Sequence, residues 1–527
     1  MVVRTNSNYH NRIILGKDVE RMNDWIILLP VLFPILAGAC MPLLPFQSRK
    51  QREWYVGIIT VLNALFMAIV MFLVRPEGTV TILNMTGKLS VSLQIDGLSC
   101  VFGSLISFLW PIAALYAFEY MAHEEDELAH KFTKEKAMKK TNNFFAFYTM
   151  TFGVTAGICF SANLMTLYLF YELLTFVTLP LVMYGMSRKV VKAGRKYVNY
   201  SVGGAAFAFI GFVFIWVFGD SLDFIYGGVL PQTLSDTQTI CLQIAYVLAV
   251  FGFGVKAALF PVHAWLPTAS IAPTPVTALL HAVAVVKAGA FSIIRITYYS
   301  FGADFLRGSF AQYIVMTAAL ITILFGSSMA LKEQHLKRRL AYSTISNLSY
   351  IIFGASIMTQ AGFSGSMTHL VAHGLIKIML FYCAGAVLCK TGKEYVGELR
   401  GFAKIMPVTF VCFLIGSMAL IGVPPLPGFI SKWNLAVAAA ESGNTLAYIG
   451  IGVLLVSALL TAMYLFAVVL KAFFPAKNIP LVLSEEKQDA GICMKIPLLI
   501  LCIALFTLGL NAVSFVSVLE KIAAGLV

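Results

Sequence analysis

The chain has 527 residues, 59% of them hydrophobic and 12% charged, a balance that excludes a soluble domain of this size. A formal charge of +13 would suit a nucleic-acid partner, but the basic residues fall in short segments between apolar stretches, where membrane topology accounts for them. Nine cysteines include no C-x-x-C pair, and neither a Walker A motif nor a dinucleotide fingerprint is present, so no cofactor, no metal and no redox centre is expected on the chain itself.

The lead 1–21 is polar, carries Arg4, Arg12, Lys17 and Arg21, and lacks the apolar core of a signal peptide. The following "MNDWIILLP" reads as a natural membrane-protein start, so translation is expected to begin at Met22. Fourteen apolar stretches follow, most of them near the length that crosses a bilayer as a helix. Three, at 24–46, 55–74 and 96–118, make an N-terminal unit, 22–118. Five more, at 143–161, 163–186, 198–219, 239–260 and 273–296, make a unit over 143–299. A further five, at 311–331, 340–359, 366–389, 407–441 (broken) and 446–473, make a unit over 311–475. The last, at 495–518, belongs to a C-terminal unit, 495–527. The fold class is an all-α polytopic membrane protein with about 14 transmembrane helices.

Charge supports that count. With fourteen spans the loops 47–54, 119–142, 187–197, 332–339, 390–406 and 471–495 share one side, and they hold 25 of the 38 Lys/Arg. Beyond the lead, the other side holds only Arg75, Lys88, Arg295, Arg307 and Lys521. The positive-inside rule makes the first side cytoplasmic and puts both termini outside, in a cell inner (plasma) membrane. Within this scheme His263 and Trp265 read as interfacial anchors. The run "HEEDELAHKFTKEKAMKK" reads as a solvated segment or subunit contact, and Lys337, Arg338 and Arg339 as helix-end anchors.

Four lysines remain inside spans: Lys256, Lys287, Lys377 and Lys432. Among the acids only Glu172 lies deep in one, in "LYLFYELLTF". A charge at the bilayer centre costs ~2.5–3.5 kcal/mol, so such residues face the protein interior, pair, and mark ion paths. The blander reading is a set of neutral lysines or ion pairs that only hold helices together. The residues recur, however, at helix breaks. Lys256 follows Gly252 and Gly254 and precedes Pro261 in span seven; Lys432 follows "GVPPLPGFIS" in span twelve. Breaks at corresponding points of two halves suggest inverted repeats around a mid-membrane site.

In "THLVAHGLIKIMLFYCAGAV", His369, His373 and Lys377 are spaced i, i+4, i+8 and share one helix face, with ~6 Å of rise between neighbours. Histidine takes and gives a proton near neutral pH, which favours a relay over isolated interhelical hydrogen bonds. His281 and Lys287 are six apart in span eight, roughly 120° around an ideal helix; they share a stripe only if a local bulge distorts it.

These residues carry a resemblance. "LQIDGLS" (93–99), "KAALFPVHAWLPTASIAPTPVTALLHA" (256–282), "LKRRLAYSTISNLSY" (336–350), "HLVAHGLIKIMLF" (369–381) and "GVPPLPGFISKW" (422–433) are similar to the antiporter-like subunits of respiratory complex I, to Mrp-type cation/proton antiporters and to membrane-bound hydrogenase relatives. The match spans roughly 24–475. It implies fourteen helices with two inverted five-helix repeats, in which Glu172 pairs with Lys256. Lys287 and His281 match span-eight residues, His369, His373 and Lys377 the central relay, and Lys432 the exit lysine. The combination of His281 with Lys287 looks like the large Mrp subunit, whereas the length fits the complex I M type or Mrp D, so the resemblance leaves the parent complex open.

The expected function is proton translocation, alone or in exchange for Na⁺, through this Glu/Lys/His relay. The expected partners are other membrane subunits of a multisubunit complex that supplies the driving force, and the lipid bilayer, with no nucleic acid. The competing readings are a sodium/proton antiporter module without redox coupling, a non-conducting scaffold that anchors redox subunits, and a stand-alone solute transporter.

Overall fold

The computed structural model describes residues 24–76, 78–474 and 489–525. The lead 1–21 and the expected start at Met22 lie outside the described residues. The elements in order are α1 (Trp25–Leu43), α2 (Arg49–Val74), β1 (Val80–Thr86), β2 (Leu89–Leu93), α3 (Gly97–Lys131), α4 (Lys134–Cys159), α5 (Leu164–Val182), α6 (Arg188–Phe218), α7 (Asp236–Lys256) and α8 (Thr274–Phe301). There follow α9 (Phe310–Lys332), α10 (Leu336–Ile357), α11 (Gln360–Thr391), α12 (Pro407–Ile421), α13 (Pro427–Glu441), α14 (Thr445–Phe473), α15 (Ile492–Leu510) and α16 (Ala512–Ala523).

Among the described residues, 12 helices are long and apolar enough to cross a membrane. The other two expected spans fall on α4, whose first two turns carry four lysines, and on the shorter pair α12 and α13.

Helix starts are written in the sequence as side-chain caps. Ser48, Thr133, Asn163, Ser187, Ser309 and Thr359 each accept the backbone N–H three residues on, satisfying a donor that the first turn leaves free. Ser235 and Gln238 complete a reciprocal capping box at α7.

Several expected loops are therefore helix ends. The segment 119–142, read as a loop, is nearly all helix: α3 runs 35 residues to Lys131 and α4 begins at Lys134. A 35-residue helix is ~52 Å long, well beyond a ~30 Å hydrocarbon layer, so its charged end stands in water. Glu125 on that end is nonetheless buried, held by Arg49 and Arg52, each at 2.8 Å. The stretch expected as one span at 495–518 divides at Asn511 into α15 and α16.

The hairpin β1–β2 was not anticipated. Its antiparallel strands join Val80 to Leu93 through a turn at Gly87, whose φ of +53° suits glycine. The alternation in "LSVSL" beside a Thr-Gly turn is the signal for it.

The most buried helices are α8, α10 and α11. α11 packs against α10, α12, α13 and the start of α8, so the centre of the molecule is helix on helix on every side. Both expected breaks are present. α7 ends at Lys256, Ala258 takes a left-handed φ of 55°, and Pro261 cannot donate to a continuing ladder. α12 ends before Gly422, at φ 100°, and α13 restarts at Pro427, where a missing N–H costs nothing. A Cβ on Gly428 would stand 1.7 Å from the Ala419 carbonyl oxygen, so only glycine lets α13 fold back against α12.

Candidate functional site

The broken end of α7 exposes carbonyls that the next turn would have used. Trp265 Nε1 donates to the Val255 carbonyl at 2.6 Å, and Trp265 is fully buried against Tyr197. It is thus an internal clamp on the break, not the interfacial anchor its sequence position suggested. Lys256, the last residue of α7, is fully buried and donates to the Tyr171 carbonyl, with its Nζ 3.4 Å from the centroid of the Tyr171 ring. A ring face and a carbonyl are thus the groups the lysine head meets there. Glu172 is the next residue on α5; its Oε1 is buried and has no partner. Among the described residues Glu172 and Lys256 form no ion pair within 4.0 Å. Direct pairing was the expectation; the structure instead seats the ammonium on the carbonyl of the residue before the acid. α8 passes close behind, where a Cβ on Gly289 would meet Ala257 N at 2.5 Å.

α8 is distorted where a distortion was needed. A π-turn covers Leu279–Val283, Ala284 departs from helical geometry (φ −93°, ψ −80°), and α-helix resumes at Val285. His281 lies in the π-turn, its Nε2 3.3 Å from Ser270 Oγ and its ring 4.8 Å from that of Phe381. Beyond the turn, Lys287 Nζ lies 2.8 Å from His373 Nδ1 on α11.

From His373 the row continues along α11. The His373 and His369 rings stand 5.9 Å apart and 20° from parallel, as the i, i+4 spacing requires. His369 Nδ1 lies 3.0 Å from Ser431 Oγ at the start of α13, and its ring stacks on Tyr350 of α10 at 5.1 Å. Lys432, next to Ser431, donates to the Leu420 and Ile421 carbonyls at 2.7 and 2.9 Å, the groups freed by the end of α12. Its Nζ is 5.6 Å from the Tyr350 ring. Lys377 donates to the Leu340 carbonyl at 3.0 Å.

The structure therefore brings Lys287, His373, His369 and Lys432 into one row, bridged by Ser431 and Tyr350. Lys256 with Glu172, His281 with Ser270, and Lys377 each hold separate positions around it. Lys256, Lys287, Lys377, His281, His369 and His373 are all buried. His281 Nδ1, His369 Nε2 and His373 Nε2 are buried with no protein partner, so each ring has one nitrogen engaged and one free to change role.

Sequence reasoning passed over four members. Ser431 adjoins Lys432 and was within reach; Tyr350, Tyr171 and Ser270 carry no local signal.

Three basic residues are placed differently from expectation. Arg295, counted on the outer side at the end of span eight, is buried in α8 and pairs with Asp96, the N-cap of α3; its Nη2 lies 2.7 Å from Asp96 Oδ1 and 3.0 Å from Ser99 Oγ. Lys337 and Arg339, read as helix-end anchors, do sit in the first turn of α10 but are buried and cap carbonyls: Lys337 that of Ala272 at 3.1 Å, Arg339 that of Tyr464 at 2.8 Å. Among the described residues no three His, Cys, Asp or Glu converge as metal ligands would.

Fold and site together define a multi-pass helical membrane protein whose interior holds a row of ionisable side chains. The family model for NADH:quinone oxidoreductase/Mrp antiporter, TM matches residues 161–461, and the chain belongs to that family. NADH-quinone oxidoreductase subunit N of Desulforudis audaxviator is 32% identical over 430 residues, covering 80% of this chain and 82% of that protein. Na(+)/H(+) antiporter subunit A1 of Staphylococcus haemolyticus is 29% identical over 512 residues, 92% of this chain but 61% of that protein, so the chain spans less than two thirds of this antiporter relative. The fold is that of a chain in the membrane-bound sulfane sulfur reductase, an archaeal respiratory membrane complex, with a TM-score of 0.81, 24% identity and coverage of 95% of this chain and 97% of that one.

Proposed function

We propose that this chain is a proton-translocating membrane subunit of a multisubunit complex, moving H⁺ alone or in exchange for Na⁺. The observation that carries the reading is the Lys287–His373–His369–Ser431/Tyr350–Lys432 row, brought together across α8, α10, α11 and α13 by hydrogen bonds at Lys287–His373 and His369–Ser431 and by ring contacts between. The named relatives, subunits of a quinone oxidoreductase and of a sodium/proton antiporter, support it. In this reading 143–299 and 311–475 are inverted repeats, each with a helix break beside a lysine. Both termini face outward across a plasma membrane, with the basic loops cytoplasmic.

Glu172 and Lys256 form the switch. Moving the carboxylate toward Lys256 stabilises the ammonium, and moving it away leaves a buried charge that favours release. The proton then passes toward Lys287, with His281 and Lys377 flanking, along His373 and His369 to Lys432. Neutral imidazole accepts on one nitrogen and donates from the other, so the row can carry a proton without moving its backbone. Driving force comes from partner subunits.

Lys256→Ala or Glu172→Ala, made in the assembled complex and reconstituted in vesicles, abolishes ion movement while the subunits stay together. Normal transport by an assembled Lys256→Ala complex overturns the proposal. It would favour the second reading, a scaffold that anchors redox subunits.

A further inference from the structure

A cavity of about 880 Å³ opens on the basic side of the molecule, between the start of α6 and the turn before α10. Its wall carries Lys189, Lys192, Arg195 and Lys196 from α6, with Lys337 and Arg338 opposite. Two carboxylates, Glu333 and Glu394, share the wall. Glu333 is engaged by Arg338 at 3.5 Å, and Glu394 lies 3.4 Å from His335 Nε2, so the cations outnumber the carboxylates. Among the described residues none of the four α6 cations has an ion-pair partner; Lys196 donates to Thr268 Oγ1 at 3.3 Å and stands 5.9 Å from the centroid of the Tyr200 ring. His263 also lines the cavity, is 9% exposed, and has an Nδ1 with no partner. A concave surface with unpaired cations and a free buried imidazole nitrogen suits an anion.

The same face of α6 says which anion. Lys192, Arg195 and Asn199 are exposed, and steps of three and four continue that stripe to Val202, Ala206 and Phe209. Val202 is 54% exposed and Phe209 45%. Phe209 lies ~21 Å along the axis from Arg195, about the reach of an acyl chain below its headgroup. Cations at the membrane edge above an open apolar stripe match a phosphodiester above hydrocarbon tails. Basic pockets between helices on the cytoplasmic face recognise such headgroups. An acidic peptide would satisfy the cations but not the stripe.

We infer that the α6 cavity is a binding site for one anionic phospholipid, with its phosphate on Lys192, Arg195 and Lys196 and its tails along Val202 and Phe209. The inference is independent of the proton path and needs only that α6 crosses the membrane.

The test uses the full-length protein, stripped of lipid in neutral detergent. Phosphatidylglycerol, phosphatidylcholine and inorganic phosphate are titrated separately, and bound lipid is counted by native mass spectrometry. One phosphatidylglycerol per chain is expected to bind in preference to phosphatidylcholine. Each cation near the surface contributes about 5-fold, so Lys192→Gln/Arg195→Gln/Lys196→Gln weakens that site about 100-fold. Should the triple variant not elute as a single species, Arg195→Gln alone is expected to lose about 5-fold. Val202→Ser/Phe209→Ser weakens the long-chain lipid while leaving binding of a short-chain phosphatidylglycerol unchanged. Equal retention of both lipids, unchanged binding by the charge variants, or displacement by inorganic phosphate at equal concentration overturns the inference. So does a triple variant that keeps its lipid but sheds a co-purifying acidic subunit.

Discussion

Lys287→Met tests the proposed path where the geometry is most specific. Methionine preserves length and removes the proton-carrying group 2.8 Å from His373 Nδ1. A proton passing α8 must then exist as a charge without a host in a fully buried region. That costs ~2.5–3.5 kcal/mol, and at 1.36 kcal/mol per decade transport falls about 100-fold. Folding should suffer little, since replacing a buried ammonium by an apolar side chain of similar volume is near neutral. The assay is dye-reported proton uptake by vesicles holding the intact complex, normalised to turnover of its driving reaction. Lys287→Arg separates two roles: arginine keeps the charge and the contact but does not release its proton, so it supports packing and not relay. Full transport by Lys287→Met, or rescue by Lys287→Arg, refutes the reasoning.

Two further outcomes concern stability. Asp96→Asn keeps the α3 cap but leaves the Arg295 guanidinium uncompensated. Because Asp96 is 25% exposed, a loss near ~3 kcal/mol is expected, at the low end for a broken buried pair. Thermal unfolding in detergent reads it, and adding Arg295→Met should recover part of the loss, so strictly additive effects would dismiss the pairing. His335, in the turn before α10, lies 3.4 Å from Glu394, but burial outweighs that carboxylate and holds the imidazole below its ordinary value of 6.5. The folded protein therefore binds this proton less tightly than the unfolded chain. Stability is unaffected well above pH 6.5, falls as pH drops through it, and bears the full cost below the folded value. His335→Gln should flatten the acid side of a melting-temperature profile; an unchanged profile would show that other groups set it.

What the sequence made legible follows from what is local to one helix. The i, i+4 spacing of His369 and His373 determines that their rings meet, and 5.9 Å is what one turn allows. Polar caps at Ser187 and Ser235 and prolines at 261 and 424–427 mark helix ends without reference to any neighbour. Contacts between helices are not written that way. Lys287 meets His373 across 86 residues, and Arg295 meets Asp96 across 199. The count of basic residues by side put Arg295 at the outer end of its span because such a count scores a charge alone. The partner that makes burial affordable lies at the cap of another helix. The Trp265 clamp escapes a local reading for the same reason, since the break at Lys256 sends Leu259 N to Gly254 and leaves the Val255 carbonyl to Ala258 N and Trp265.

The composition of the row also bears on how it would work. Lys287, His373, His369 and Lys432 are all bases, and among the described residues none pairs with a carboxylate. Two protons on neighbours ~6 Å apart repel by ~3 kcal/mol at an effective dielectric near 20, about two decades in occupancy. A row of this kind holds one excess proton comfortably and a second poorly, so a proton entering at one end favours departure at the other. Placing Glu172 near Lys256 and outside the row would, in the proposed path, give the entry step a counter-charge that the later steps lack. Inserting an acid into the row, as in Ser431→Asp, should therefore trap a proton and slow transport even though every original base remains. Undiminished transport by that variant would show that mutual repulsion does not drive the proton onward.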